Sequence, residues 1–330
     1  MIVDFGLLLL GLVLLFFGGE ALVRGSVSIA ERFGISKFVV GLVIVGFGTS
    51  APEMLVSVQA ALAGSPDIAI GNIVGSNIAN ILLIVGVAAL IAPIANNDTS
   101  IRRDIIVMVA VSAWLAVMLR RDELGFATGA ALFAAFLFYL VVTYVLERRR
   151  QASVFVEEAK AVEERPRSPG LAAGLAGLGI VLLVAGAKVM VDGASGIAAS
   201  FGISEAVIGL TVVAVGTSLP ELATAIVAAI RRHGEVALAN VIGSNIFNIL
   251  AILGVTALIA PVPVAARFGA VDGPVMLGVA AGAAVLLFAR KRLGRPVGAI
   301  LLLAYAVYLY VQDDIGAGPN LSTAVAANLL

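Results

Sequence analysis

Residues 48–53 read GTSAPE and residues 216–221 read GTSLPE, so one polar hexapeptide occurs twice, once in each half of the chain. Each copy places a proline, two hydroxyls and a carboxylate inside an apolar run of membrane-spanning length. Hydrocarbon cannot satisfy freed backbone groups, and a charge at that depth is expensive, so such residues usually face a protein-lined cavity or an ion path. The stretch therefore predicts a membrane protein with a polar site at its centre.

A second pair of motifs shows that the duplication extends beyond the hexapeptide. GSNIAN at 75–80 returns as GSNIFN at 243–248, with the same difference in numbering as between the two hexapeptides. We call this constant difference the repeat offset. Segments 71–93 and 239–261, which include the second motif, are identical at most positions. Paired hydrophobic segments interrupted by Gly or Pro, at corresponding positions of two halves, are typical of a transporter's substrate site.

Composition limits both the protein class and the chemistry of the site. The chain has 61% hydrophobic and 13% charged residues and a mean hydropathy of +1.10, which indicates an integral membrane protein. Its formal charge is zero, so no global field favours nucleic acid. It contains no cysteine and a single histidine, which argues against thiolate metal sites and histidine relays. Any bound ion is therefore expected to meet oxygen ligands.

The predicted fold is an all-α integral membrane protein with ten transmembrane helices. At roughly 20 apolar residues per span, the helices are expected at about 4–30, 36–63, 67–92, 104–119, 123–146, 170–199, 204–230, 235–260, 272–289 and 296–312. Five fall in each half. Because five is odd, the second half must enter the membrane from the opposite side, which makes two inverted five-helix repeats. Helices 2, 3, 7 and 8 are expected to be broken around an ion site at the midplane.

The distribution of Lys and Arg sets the predicted orientation. With the N-terminus outside, sixteen of these residues fall on the inner side and only Arg120, Arg121 and Arg267 on the outer side. The positive-inside rule then places both termini outside a multi-pass protein of the cell (plasma) membrane. The division is 1–146 for the first repeat, 147–168 for a cytoplasmic loop, and 169–330 for the second repeat with a short extracellular tail. The loop is either a solvated tether or a regulatory, lipid-sensing segment.

The hexapeptide itself predicts a cluster of oxygen ligands. Pro52 has no N–H to return to the carbonyl of Gly48, so the helix should break near 46–51 and free carbonyl oxygens. Thr49 and Glu53 are four residues apart and share a face, with Ser50 at the break. The other half supplies the same set from Thr217, Ser218 and Glu221. Two carboxylates among other oxygens suit Ca²⁺, and Na⁺ is of similar size.

Two plainer interpretations stay open at this point. Ser50 and Glu53 also form a capping box with proline in the first turn, so the carboxylate could simply cap a helix. For Asn80 and Asn248, the alternative to ligation is a hydrogen bond between helices.

The paired motifs GTSAPE with GSNIAN and GTSLPE with GSNIFN resemble the alpha-repeats of the sodium/calcium exchangers, in the cation/calcium exchanger superfamily, over about residues 5 to 313. The resemblance implies ten helices, a short cytoplasmic loop as in prokaryotic members, and exchange of one Ca²⁺ for a larger number of Na⁺. It also implies ion ligands from both halves and from two backbone carbonyls, namely Thr49, Ser50, Glu53, Ser76, Asn80, Thr217, Ser218, Glu221, Ser244 and Asn248, with the carbonyls of Gly46 and Ala214. Several relatives carry Asp where this chain has Asn248, and two neutral asparagines favour an exchanger that does not need potassium.

The expected function is a secondary active, electrogenic antiporter that exchanges Ca²⁺ for Na⁺ by alternating access, with no enzymatic activity and no cofactor. A Ca²⁺/H⁺ antiporter is the nearest alternative, because protonated glutamates would release calcium. A passive cation channel is disfavoured, since midplane carboxylates would hold a divalent ion too tightly for fast conduction. An intramembrane hydrolase would need a metal-binding histidine set or a nucleophile. The expected partners are the two ions and the lipid bilayer, without nucleic acid, and a monomer is compatible with the sequence.

Overall fold

The computed structural model describes residues 2–33, 44–95, 99–154, 168–200, 214–290 and 292–316, and these residues are almost entirely helical. The α-helices are α1 Ile2–Phe33, α2 Gly46–Thr49, α3 Ala51–Leu62, α4 Pro66–Ala79, α5 Val85–Ile91, α6 Thr99–Met118, α7 Phe126–Val154, α8 Pro169–Ser200, α9 Ala214–Thr217, α10 Leu219–Ile230, α11 Gly234–Phe247, α12 Leu253–Ile259, α13 Gly273–Ala289 and α14 Arg295–Gly316. A π-helical turn joins α4 to α5 (Asn80–Ile84), another joins α11 to α12 (Asn248–Ile252), and a further one, Phe268–Asp272, leads into α13.

The helices confirm a membrane protein with several apolar spans. Within the described ranges, six helical stretches are long and apolar enough to cross a membrane: Ile2–Ala30, Pro66–Ile91, Phe126–Leu146, Pro169–Ala194, Gly234–Ile259 and Phe268–Ala289. Leu219–Ile230 and Arg295–Val311 are shorter apolar helices. Ten spans remain an expectation, because parts of helices 2 and 7, predicted at 36–43 and 204–213, lie outside the described residues.

The predicted helix boundaries differ most from the structure at α6 and α7. Helix α6 begins at Thr99 rather than at residue 104, and α7 continues to Val154, beyond the predicted end at 146. A helix ends where its backbone hydrogen bonds end, which need not be where its side chains become polar. The charged residues at the start of the predicted loop can therefore still belong to α7. The rest of that loop, 155–167, lies outside the described residues. The predicted tail begins at Gly316, which still belongs to α14, and its residues 317–330 also lie outside the described part.

The prediction that helices 3 and 8 are broken is wrong. The chain stays helical through Asn80, with φ −55° and ψ −44°, and through Asn248, with φ −57° and ψ −44°. Neither position is near a proline that would remove a backbone donor, so the helix widens into a π-helical turn instead of breaking. Such π-helical turns are frequently found at functional sites.

The core is built from the helices that carry the repeated motifs. In the most apolar stretch of each helix, 78% of the residues are buried in Pro66–Ile91 and 83% in Gly234–Ile259. The corresponding shares are only 22% in Ile2–Ala30 and 33% in Pro169–Ala194. Helices α1 and α8 pack against each other at the periphery. Their contact depends on glycine, since a Cβ at Gly25 would lie 2.5 Å from the backbone nitrogen of α8's Ala176.

Two short strand pairs tie the halves together. Strand β1 (Ile94–Ala95) pairs with β4 (Arg292–Leu293), and β2 (Glu123–Leu124) pairs with β3 (Val262–Pro263), both antiparallel. Each pair joins the first half of the chain to the second. Strand β3 begins at Val262, which corresponds to Ile94 at the start of β1 under the repeat offset. The two strand pairs are therefore counterparts of each other.

Candidate cation site

Each GTS-x-PE motif interrupts its helix at the serine. Ser50, with φ −85° and ψ 12°, separates α2 from α3, and Ser218, with φ −87° and ψ 5°, separates α9 from α10. Pro52 and Pro220 lie in the first turns of the helices that follow, as the sequence predicts. Neither serine side chain caps its helix. The interpretation of the motif as a capping box alone therefore does not describe this geometry.

The two serines instead bond across the repeat to the glutamates. Ser50 Oγ donates to Glu221 Oε1 at 2.9 Å, and Ser218 Oγ donates to Glu53 Oε1 at 3.3 Å. Both glutamates are buried, with 2% of Glu53 and 1% of Glu221 exposed. Each half thus contributes a carboxylate whose hydroxyl partner comes from the other half, and the two sets of predicted site residues lie face to face.

The threonines make a second crossed pair of contacts. Thr49 Oγ1 lies 3.2 Å from Asn240 Oδ1, and Thr217 Oγ1 donates to Asn72 Oδ1 at 3.4 Å. Asn72 and Asn240 are themselves related by the repeat offset. The contacts of one threonine therefore repeat those of the other.

Asn80 and Asn248 stand at the first residues of two π-helical turns. Asn80 Nδ2 donates to Asn245 Oδ1 at 2.9 Å, and Asn248 Nδ2 donates to Asn77 Oδ1 at 3.2 Å. The hydrogen bond between helices that the sequence offered as one alternative is thus present for both residues. It uses only the amide nitrogens, so each side chain still has its carbonyl oxygen to offer.

Four buried oxygens of the predicted site residues have no hydrogen-bond partner within the described part of the chain: Glu53 Oε2, Glu221 Oε2, Asn80 Oδ1 and Asn248 Oδ1. Buried polar atoms almost always have a partner, so a set of acceptors that lack donors fits a cation. Among the described residues, no group of three or more His, Cys, Asp or Glu side chains could hold a metal. The candidate donors at this site are two carboxylates with amide and hydroxyl oxygens, the chemistry that Ca²⁺ prefers.

Three of the remaining predicted site residues, Ser76, Ser244 and Gly46, lie beside the same centre. Ser76 Oγ lies 3.4 Å from Ser218 Oγ, and Ser244 Oγ donates to the carbonyl of Gly46 at 3.4 Å. Gly46 begins α2, and Ala214, its counterpart under the repeat offset, begins α9.

Sequence reasoning missed the asparagines that support the site. Asn72, Asn77, Asn240 and Asn245 are not among the site residues that the sequence predicts. In the structure, their amides hold Thr217, Asn248, Thr49 and Asn80. The recurrence of both pairs at the repeat offset was the sequence signal that could have identified them.

Comparison with known proteins agrees with this arrangement. The model of the family described as sodium/calcium exchanger protein matches residues 3–145 and 171–312, which is most of the chain. The chain belongs to the sodium/calcium exchanger family. A member of this family is a transporter rather than an enzyme, and here it is a membrane protein with several apolar helices.

Relatives within the family are similar over nearly the whole chain. The sodium/calcium exchanger MaX1 of Methanosarcina acetivorans is 34% identical, with 94% of this chain and 98% of that protein covered. The inner membrane protein YrbG of Escherichia coli is 37% identical, over 94% of this chain and 96% of its own. A solved structure of the sodium-calcium exchanger NCX_Mj, soaked with Na⁺ and Sr²⁺, matches with a TM-score of 0.81 at 35% identity, covering 94% of this chain and 98% of that one.

Proposed function

We propose that this protein exchanges Ca²⁺ for Na⁺ across the cell membrane by alternating access. The observation that carries the proposal is the pair of buried glutamates, each with one oxygen bonded across the repeat and one without a partner among the described residues. Two carboxylates balance the charge of one Ca²⁺. The hydroxyl and amide oxygens around them can complete the coordination of one Ca²⁺ or of several Na⁺.

The relatives give independent support. MaX1 and NCX_Mj are named as sodium/calcium exchangers, and this chain covers almost their full length. The proposed ligands are the side chains of Thr49, Ser50, Glu53, Ser76, Asn80, Thr217, Ser218, Glu221, Ser244 and Asn248, with the carbonyls of Gly46 and Ala214.

The proposed architecture is ten helices in two inverted five-helix repeats, with both termini outside the plasma membrane. The bonds between the serines and the glutamates cross from one half of the chain to the other and recur at the repeat offset, and so do the two strand pairs. An inverted repeat would produce contacts of this kind. Rocking of one part against another around a central site is the usual form of alternating access in such folds.

The proposed exchange is electrogenic. The two glutamates carry at most two negative charges, which one Ca²⁺ neutralises, and the proposal takes from the family resemblance that more than two Na⁺ replace it. One or more net positive charges would then move with the sodium. An inside-positive potential should accordingly accelerate Ca²⁺ uptake in exchange for internal Na⁺.

Radiocalcium uptake into proteoliposomes tests the proposal. Vesicles loaded with Na⁺ should accumulate Ca²⁺, vesicles with an outward H⁺ gradient and no Na⁺ should not, and removal of K⁺ should change nothing, because Asn80 and Asn248 are both neutral. Uptake that follows protons in the absence of sodium would identify a Ca²⁺/H⁺ antiporter instead. A strict requirement for K⁺ would overturn the potassium-independent form of the proposal.

A further inference from the structure

The first half contains a hydrogen-bond network beneath the site that begins at Ser57. This serine is fully buried and lies one helical turn after Glu53 on α3. Asn72 Nδ2, from α4, donates to Ser57 Oγ at 2.9 Å and to the backbone carbonyl of Glu53 at 3.1 Å. Because both amide hydrogens have acceptors, the Asn72 amide has one orientation, with Oδ1 turned toward Thr217.

Among the described residues, the second half does not repeat this network. The counterpart of Ser57 is Ala225, which is 1% exposed and has no hydroxyl to offer. The counterpart of Asn72 is Asn240, which is fully buried, and its Nδ2 has no hydrogen-bond partner in the described ranges, although its Oδ1 contacts Thr49. If this amide were flipped, Nδ2 would contact Thr49 and Oδ1 would lack a hydrogen-bond partner instead.

The difference has a mechanical consequence for the two glutamate-bearing helices. Helix α3 is bonded to α4 through the Asn72 amide one turn from Glu53. Helix α10 does not make the equivalent side-chain bond to α11 one turn from Glu221, because position 225 is alanine and the hydroxyl of the neighbouring Thr224 has no hydrogen-bond partner among the described residues. The fixed Asn72 amide also presents its oxygen to the Thr217 hydroxyl in one direction, which orients that hydroxyl at the site.

We propose that Ser57 is a positioning residue that presets one half of the cation site, while Ala225 leaves the other half free to adjust. The idea rests on the proposed function, because a carrier that alternates between one divalent ion and several monovalent ions has to change its coordination. When one half of the site is already ordered, an ion that binds has fewer side chains to order, and the entropic cost of binding is lower. An adjustable half lets the same residues close around different ions.

Three single substitutions test this assignment in the proteoliposome assay. Ser57→Ala should raise the KM for Ca²⁺ about fivefold, which corresponds to about 1 kcal/mol, the net contribution of one hydrogen bond, and should leave the maximal rate within about twofold. Ser57→Thr keeps the hydroxyl and should restore the wild-type KM. Ala225→Ser supplies the missing acceptor for Asn240, and should lower the KM and slow the maximal rate, because ions held more tightly leave more slowly.

An unchanged KM in Ser57→Ala would overturn the proposal, whether or not the melting temperature falls, since a merely structural role affects stability alone. A KM for Ca²⁺ in Ser57→Thr that is raised as much as in Ser57→Ala would also overturn the proposal.

A measurement that needs no transport separates this proposal from the proposed function. Backbone hydrogen exchange of the ion-free protein should show α3 better protected than α10, with protection of α3 reduced by Ser57→Ala and that of α10 increased by Ala225→Ser. Equal protection in all three proteins refutes the positioning role even if Ca²⁺ is exchanged for Na⁺. Conversely, a wild-type protein that shows the expected protection but no exchange would refute the proposed function and leave the network established.

Discussion

Replacing Glu53 by glutamine tests whether its charge is what the site requires. Glu53 is 2% exposed, its Oε1 accepts from Ser218 at 3.3 Å, and its Oε2 has no partner among the described residues. Glutamine has nearly the same volume and can still accept the Ser218 hydrogen bond. What it changes is the second oxygen, which becomes an amide nitrogen whose hydrogens would point toward a bound cation.

The expected loss follows from the burial of the site. Removing one of two carboxylates leaves a desolvated divalent ion with half of its charge uncompensated, and breaking a buried charge pair costs about 3–5 kcal/mol. At about 1.4 kcal/mol per decade, this is roughly a thousandfold loss of Ca²⁺ affinity. The same argument applies to Glu221→Gln, because Glu221 is equally buried and has the same kind of unpartnered oxygen in the part of the chain that the structure describes.

The assay is Ca²⁺ exchange together with the melting temperature of the purified protein. We expect either substitution to abolish exchange while the melting temperature changes little. Glu123→Gln is the matched control, because Glu123 is an exposed carboxylate in β2, away from the site. Near-normal exchange in Glu53→Gln or Glu221→Gln would refute the reasoning, and so would an equal loss in Glu123→Gln.

Other substitutions probe the supporting structure. Asn248→Ala removes an oxygen that lacks a partner among the described residues and should raise the KM for Ca²⁺ about tenfold, as expected for a contact with a charged partner. Gly179→Val should reduce the yield of folded protein, because a Cβ there would overlap the backbone of α1, whereas Gly177→Val faces open space and should be tolerated in the same size-exclusion measurement. Phe247→Ala removes a ring stacked 4.6 Å from Phe47 and should cost about 3 kcal/mol of stability, seen as a lower melting temperature, while exposed Phe126→Ala should not.

Local chemistry made much of the site predictable from the sequence. A proline in a helix cannot supply its N–H, so the breaks beside Pro52 and Pro220 follow from residue type alone. The duplication then implied that Glu53 and Glu221 would meet, because residues that need a polar environment in a membrane must share one. Their crossed bonds to the two serines agree with this expectation.

The parts that depend on register between helices were not predictable in the same way. Which side chains Asn77 and Asn245 reach depends on how the helices that carry them pack against each other, and the sequence of one helix does not give that packing. The orientation of the Asn72 amide likewise depends on Ser57, a residue on a different helix. A side-chain amide bonds only to groups within hydrogen-bond distance and at a suitable angle. Helix periodicity does not give side-chain positions to that precision.

The most direct test of the central claim is Ca²⁺ binding to the purified protein under competition by Na⁺. The two-glutamate site predicts one Ca²⁺ bound per chain in sodium-free solution, displaced by Na⁺ with a concentration dependence steeper than first order, because several Na⁺ replace one Ca²⁺. Both properties should disappear in Glu53→Gln. Calcium binding that persists in this variant, or that does not respond to Na⁺ in the wild-type protein, would contradict the account.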